Sequence, residues 1–369
     1  MSNALVIGGA GATGLVIVDA LRKRDYQVSI LHTGNHEPEL PDDVEHIHTS
    51  PYKFDQLEAA LEGRRFDLVI ATYGMLKHVV KAVTGKTDRF ISVGGLAPIY
   101  KGWGDMIARN PWETTDQTPL SLDEDDPLAT EDTGLQFTAA VRGMESIVMG
   151  AHARGDFSAS HFRYPLVYGP HNICPAEWGL VRRVLDGRRT LIVPGGGLTI
   201  VARGFADNIA HAMMLAVEKP EAAGGQVYNI RDDRVQYNHE WVDRVCEVMG
   251  HEFERIDIPF HLLPEGFRAS PPQLLYRHHW FPSIDKIKTQ LGYRDVVSFE
   301  DAVERTVRWY ADNPLPEGDE AELNLGDPFD YDHEDAVVEA WRAHEATFAR
   351  EIAEIPRKEV VWHHPYRSK

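Results

Sequence analysis

Four closely spaced glycines near the start of the chain are the residues best suited to chemistry. In "VIGGAGATGLVIVDAL" (6–21), Gly9, Gly11 and Gly14 fit G-x-G-x-x-G, and Gly8, Gly11 and Gly14 fit G-x-x-G-x-x-G. In either register one glycine permits a tight turn, one lets the main chain approach a pyrophosphate, and one lets a helix pack close to the preceding strand. A helix N-terminus at that point adds partial positive charge. Gly8, Gly11, Ala12, Thr13 and Gly14 are therefore candidate dinucleotide-binding residues. Other chemistries fail on single positions. His-Glu pairs begin at His36, His239, His251, His333 and His344, and none has a second histidine four residues on, so a helical zinc-protease site is excluded and no metal site is expected. "GKT" (85–87) has Val80 where a Walker loop needs its first glycine, and Phe90 stands where a nucleophile elbow around Ser92 would need one.

The glycines work only if a strand delivers them and a helix follows. Ala4 to Ile7 is a short apolar run, as suits a strand buried on both faces of a parallel sheet. Leu15, Val18 and Leu21 form the expected buried stripe of the helix, with Arg22, Lys23 and Arg24 in its last turn, where the helix dipole favours cations. Further strands are predicted at 27–31, 66–72 and 89–93, with a helix around 57–61. Such alternation means an α/β fold, a doubly wound parallel sheet whose ligands sit at the carboxyl ends of its strands. The 369 residues can bury a large core, and the net charge of -19 disfavours a nucleic-acid partner. There is no stretch of membrane-spanning length, so no membrane association is expected, and a strand at the first residues leaves no room for a signal peptide. Cys174 and Cys246 sit in unrelated contexts, which makes a reducing, cytoplasmic setting the expectation. Between Glu317 and Glu339 there are ten acids and no Lys or Arg, a pattern that predicts a solvated, loosely ordered segment.

Several motifs in order carry a resemblance. "GGAGATG", "ISVGG" (91–95), "FRYPLVYGPHN" (162–172), "LIVPGGG" (191–197), "RGFADNIAHAMMLAVE" (203–218), "VYNI" (227–230) and "LGYRDVVSFEDAVERTVRWY" (291–310) follow one another as in the extended short-chain dehydrogenases/reductases, the NAD-dependent epimerase/dehydratase family, which the chain resembles up to about residue 314. The resemblance implies a Rossmann dinucleotide-binding domain over 1–170, with returning segments near 203–232. It further implies a smaller, interleaved C-terminal substrate-binding domain, mainly 171–314, and leaves 315–369 as an acidic extension outside the family pattern. Thr72 and Tyr73, after the fourth strand, would line the cofactor. Pro165 and Val167 would lie in the strand end that passes the nicotinamide, and Tyr164, His171, Trp178, Arg203 and His278 are candidate walls of the substrate pocket. Ser298 is read as a helix cap with Asp301 three residues on, and Asp207 and Asn208 as caps of a helix beginning near Ile209.

Two departures from the family pattern shape the functional expectation. His32 and Thr33 stand at the end of the second strand, where NAD-selective relatives carry an acid for the adenosine ribose, so NADP is preferred over NAD. Relatives also carry Tyr-x-x-x-Lys followed four residues later by Glu, the tyrosine exchanging a proton with the substrate oxygen and the lysine lowering its pKa. Aligned on Glu145, those positions hold Phe137 and Val141, and Arg142 is one place late. The one Tyr-x-x-x-Lys in the chain is Tyr73 to Lys77. Ser92, Tyr73 and Tyr100 become the candidate catalytic groups. The expected function is an NAD(P)-dependent oxidoreductase or epimerase-like enzyme acting on a small organic carbonyl, enone or sugar-like substrate with a substitute proton donor. The alternative is a dinucleotide-binding sensor or scaffold without turnover. The expected partner is a small-molecule substrate, and a homodimer is left open.

Overall fold

The computed structural model describes residues 2–34, 37–72, 74–96, 99–101, 120–129, 136–264 and 266–358, with the backbone alone at 136–139. Its centre is a parallel sheet of seven strands: β1 (Ser2–Ile7), β2 (Tyr26–His32), β3 (Glu45–His48), β4 (Leu68–Ala71), β5 (Arg89–Gly95), β6 (Ser158–Tyr164) and β7 (Gln226–Asn229). They lie in the order β3-β2-β1-β4-β5-β6-β7. Chain direction through the sheet reverses at β1, which pairs with β2 on one side and β4 on the other, so that Ile7 faces both Leu31 and Ala71. A crevice opens at such a reversal, and the glycine turn that follows Ile7 occupies it.

Alternation along the strands feeds two cores. Ala4, Val6, Val28, Ile30, Leu68 and Ile70 point to the face covered by α1 (Ala12–Arg22), whereas Leu5, Ile7, Leu31, Val69 and Ala71 point to the face covered by α2 (Phe54–Ala60), α3 (Leu76–Val83) and α4 (Gln136–Arg154). The doubly wound α/β fold expected from the alternating elements is thus present, with strand limits shifted by one or two residues. In α1 the buried side chains include Ile17, Val18 and Leu21, while Leu15 is only half-buried, so the core stripe runs through Ile17 in its place.

The remaining helices are α5 (Trp178–Leu185), α6 (Ala206–Glu218), α7 (Pro220–Ala223), α8 (Asn238–Met249), α9 (Asp285–Leu291), α10 (Phe299–Asp312), α11 (Glu320–Leu325) and α12 (Tyr331–Ala353). Short strand pairs support them, among them Leu166–Tyr168 beside Arg203–Phe205. Ser298 caps α10 by accepting from the Asp301 N–H at 3.1 Å, and Phe299, Ala302, Val303, Val307 and Tyr310 are buried as their spacing requires. Asp207 and Asn208 do not cap α6, which already starts at Ala206. Asn208 faces inward, where its Oδ1 accepts from the Val296 and Val297 N–H groups at 2.9 Å and its Nδ2 donates to Asp232 and to the Val297 carbonyl. It clamps the approach to α10.

The acidic segment differs most from expectation. It is not a loose, solvated stretch: α11 and the start of α12 pack on α5, whose arginines supply the missing counter-charges. Arg183 is completely buried and donates to both oxygens of Asp327, at 2.6 and 3.0 Å, and to Glu334. Arg182 and the indole N–H of Trp178 both reach Glu322 Oε2, at 2.5 and 2.8 Å, and Arg188 pairs with Asp335. Among the described residues no helix is long and apolar enough to cross a membrane.

Candidate functional site

The four glycines divide their labour by what surrounds them. Gly8 has φ of 91°, a left-handed conformation that opens the turn. A Cβ on Gly14 would lie 2.3 Å from the Gly8 carbonyl oxygen, and one on Gly9 would lie 2.7 Å from Ile30 Cγ2, so both positions serve close packing. A Cβ on Gly11 would meet nothing within 4 Å. Gly11 is also the residue at the N-terminus of α1, which has no side-chain cap, so its backbone faces open space with unpaired N–H groups behind it. That is the chemistry a pyrophosphate fits. The Thr72 hydroxyl donates to the Gly8 carbonyl at 3.1 Å and ties β4 to the turn, Ala12 and Thr13 are buried in the first turn of α1, and Tyr164 closes it from beneath, its hydroxyl beside Thr13 and 2.9 Å from Met213 Sδ. Gly11→Asp is therefore expected to weaken dinucleotide binding by at least ~10-fold, since it sets a carboxylate against the pyrophosphate while leaving the packing intact. Calorimetry together with an unchanged melting temperature is the check, and parental affinity would refute the cradle.

The end of β2 carries the two residues read for the cofactor's second phosphate. Thr33 is exposed, and His32 is buried against His46 and His48. Five residues beyond β2, however, Glu37 returns a carboxylate to this edge, with Oε2 4.0 Å from His32 Nε2. Burial is the main cause that holds the His32 pKa down, opposed by the charge of Glu37.

Of the candidate catalytic hydroxyls, Tyr73 lies outside the described residues. Ser92 is 0% exposed in the body of β5, where its Oγ pairs with His161 Nδ1 at 2.9 Å. His161 is itself buried, pushed down to about 4 by burial, and sits 3.8 Å from Glu145 Oε2. It presses so close to Gly94 that a Cβ there would come within 2.6 Å of Nε2, which accounts for a glycine in "ISVGG". Glu145 takes two 2.8 Å bonds from Arg163, and Arg163 donates to the Tyr100 hydroxyl, which in turn donates to Asn229 Oδ1 at 2.7 Å. Burial raises the Tyr100 pKa further. Ser92 and Tyr100 thus both belong to a buried polar chain, with their hydroxyls engaged by other side chains. The lysine position is apolar in its surroundings as well. Val141 packs with Leu96, Tyr100, Leu122, Val201, Ala202 and Trp280.

A different polar cluster was missed by sequence reasoning, except for one member. Arg203 is buried, donates to Asn238 Oδ1 at 2.7 Å, and lies over the Trp241 ring at 4.5 Å. Beside it is Glu177, the residue preceding α5, 0% exposed and with neither carboxylate oxygen hydrogen-bonded among the described residues. Gln273 Oε1 and Trp241 Nε1 are likewise unpartnered there. Burial pushes Glu177 up to about 7 against the opposing charge of Arg203, whose own pKa falls to about 10. Since Arg203 pairs with Leu166 and Gly204 with Val167, the cluster lies alongside the half-buried segment of Pro165 and Val167, and Asn172 fixes the Val167 carbonyl at 2.7 Å. Unsatisfied buried acceptors are costly, and sites that bind or transfer protons are where they persist. In the sequence, "PAEWG" offered only an ordinary surface glutamate.

The other residues proposed as pocket walls have these surroundings. Trp178 is core, engaged with Glu322. His171 is exposed, with φ of 63° and its ring 4.7 Å from that of Trp309. His278 is half-buried, and its Nε2 has no partner among the described residues.

Comparison with known proteins agrees with this architecture. A family model described as the NAD dependent epimerase/dehydratase family matches residues 115–230. A bovine sterol-4-alpha-carboxylate 3-dehydrogenase (decarboxylating) is 26% identical over 211 residues, a match that takes in 50% of this chain and 58% of that protein. A 3-diazoavenalumate denitrifying reductase from a Streptomyces species is 26% identical over 309 residues, 79% of this chain and 95% of that one. Among solved structures, the UDP-glucose 4-epimerase of Thermotoga maritima with UDP-glucose superposes with a TM-score of 0.65 at 18% identity, covering 85% of this chain and all of that one. The dTDP-glucose 4,6-dehydratase of Bacillus anthracis in complex with NAD gives 0.64 at 16% identity, covering 85% and 98%. With the glycine turn at the sheet's reversal point and the ordered motifs in hand, the chain has the fold of these structures and is similar over residues 115–230 to the NAD-dependent epimerase/dehydratase family, with Phe137 and Val141 at the positions that the motif alignment gives to the relatives' tyrosine and lysine.

Proposed function

We propose that this chain is an NAD(P)-dependent oxidoreductase of small, electron-poor acceptors, in which Glu177 takes over the proton-handling task of the absent tyrosine. The observation that carries the reading is the buried Glu177 carboxyl beside Arg203, a carboxyl with no side-chain hydrogen-bond partner among the described residues. The uncapped α1 N-terminus and the open face of Gly11 hold the pyrophosphate, and Pro165 and Val167 border the nicotinamide. Bound there, the nicotinamide supplies or accepts the hydride. Arg203 orients a polar substrate group by a fixed charge, Asn238 holds Arg203 in place, and Glu177 in its acid form gives the proton to the atom that gains electron density. Without a lysine to acidify a hydroxyl, acceptors that stabilise their own developing charge suit this site best. The Streptomyces relative, named as the reductase of a diazo compound, fits that class. Either dinucleotide is compatible with the turn.

The test is consumption of NADH and NADPH against aldehydes, ketones, enones, aryl diazo acids and nucleotide sugars. Turnover is expected with the enone or diazo acceptors. Tight dinucleotide binding with no hydride transfer to any class would overturn the proposal in favour of a sensor or scaffold.

A further inference from the structure

We propose that His32, His46, His48 and Glu37 form a binding site for one divalent transition-metal ion, with Zn²⁺ the best match. The site is made by strand register. β2 and β3 run parallel with Ile30 opposite His46 and His32 opposite His48. Alternation puts His46 and His48 on one face of β3, and the His32 ring joins them from the neighbouring strand. Glu37 reaches in from the connection between the strands.

The four groups already converge. His32 Nε2 is 3.2 Å from His46 Nδ1, His46 Nδ1 is 2.7 Å from Glu37 Oε1, and Glu37 Oε2 is 3.2 Å from His48 Nε2 and 4.0 Å from His32 Nε2. One ligand atom from each residue falls within 4.8 Å of all the others. A tetrahedral Zn²⁺ with bonds of about 2.0–2.2 Å holds its ligands roughly 3.3–3.6 Å apart, so small side-chain rotations complete the shell. The rings meet edge-on, at interplanar angles of 73° to 83°, with their nitrogens directed inward.

Hydrogen bonding alone serves this arrangement poorly. His46 Nδ1 faces both a carboxylate oxygen, which needs it to carry a proton, and His32 Nε2, whose other ring nitrogen takes the Gly34 N–H at 3.3 Å and which therefore carries a proton of its own. A cation removes the conflict, because every group then offers a lone pair. The local cost is a shift of the His32 proton to Nδ1 and loss of that long Gly34 bond. Three imidazoles and one carboxylate select Zn²⁺ and its neighbours over Mg²⁺ or Ca²⁺, which want oxygen shells. The sequence rule that excluded metal looked for two histidines on one helix turn and was blind to ligands gathered across a sheet.

The experiment uses the full chain without a histidine tag, stripped with EDTA and desalted. ZnCl₂ is titrated by calorimetry, and CoCl₂ is followed by visible absorption. One tight equivalent and the intense d–d bands of four-coordinate Co²⁺ are expected. Glu37→Gln and His48→Gln should each weaken the dissociation constant by at least ~10-fold and remove those bands. Glu37 is 53% exposed, so Glu37→Gln should keep the apo melting temperature and report on the metal alone. Absence of stoichiometric binding, or parental affinity in both variants, would overturn the site. NADH binding measured in EDTA tests the dinucleotide reading separately.

Discussion

Glu177→Gln is expected to lower kcat by about 10²- to 10⁴-fold while leaving dinucleotide affinity at the parental value, because it removes a transferable proton and keeps the shape of the side chain. The pH profile carries the sharper signature. With its pKa pushed up to about 7 by burial, Glu177 is an acid at pH 6 and mostly a base at pH 8, so parental kcat should fall as pH rises through 7. The variant should lack that limb. Stability gives an independent readout. The folded pKa lies above the ordinary 4.5, so the contribution is present in full below pH 4.5 and is lost as pH rises to about 7, at roughly 1.4 kcal/mol per pH unit. Asp232, also buried and pushed up to about 7, titrates in the same window, and the difference between parent and variant isolates Glu177. At pH 8 Glu177→Gln should be the more stable protein. Parental kcat with a parental pH profile would remove Glu177 from the mechanism.

The second large effect is on folding. Arg183→Ala leaves Asp327 and Glu334 facing each other in the interior with their guanidinium gone, and breaking a buried pair from one side costs about 3–5 kcal/mol. Urea unfolding should show a loss of that size, and α11 and α12 should become susceptible to protease before the sheet does. A loss below about 1 kcal/mol would mean that the apolar contacts of Phe329 and Leu325 hold the tail without the ion pairs.

How much of this was legible in the sequence follows the range of each interaction. The glycine turn, β1, β2 and the cap at Ser298 are local, and short-range rules found them. Ser92 was misplaced because a strand end is hard to locate from "RFISVGG" alone: β5 runs to Gly95, which leaves Ser92 inside it. The histidine cluster needs the pairing of β2 with β3, and Glu177 needs the return of Arg203 beside Leu166, so neither is visible along the chain. The acidic tail did have a signal. "VRRVLDGRR" (181–189) is a dense basic patch in a strongly acidic protein, and complementarity between the two could have suggested that they meet.

That meeting has a consequence for synthesis. Arg183 is made 144 residues before Asp327 and 151 before Glu334. At roughly 5–20 residues per second, a nascent chain therefore carries this guanidinium uncompensated for on the order of ten seconds, long after the first strands have left the ribosome. Truncation before Asp327 should therefore leave a formed sheet and an open flank at α5, where Arg183 lacks both of its partners. Helices α11 and α12 thus act late in synthesis, closing a flank that everything made before them leaves charged and open.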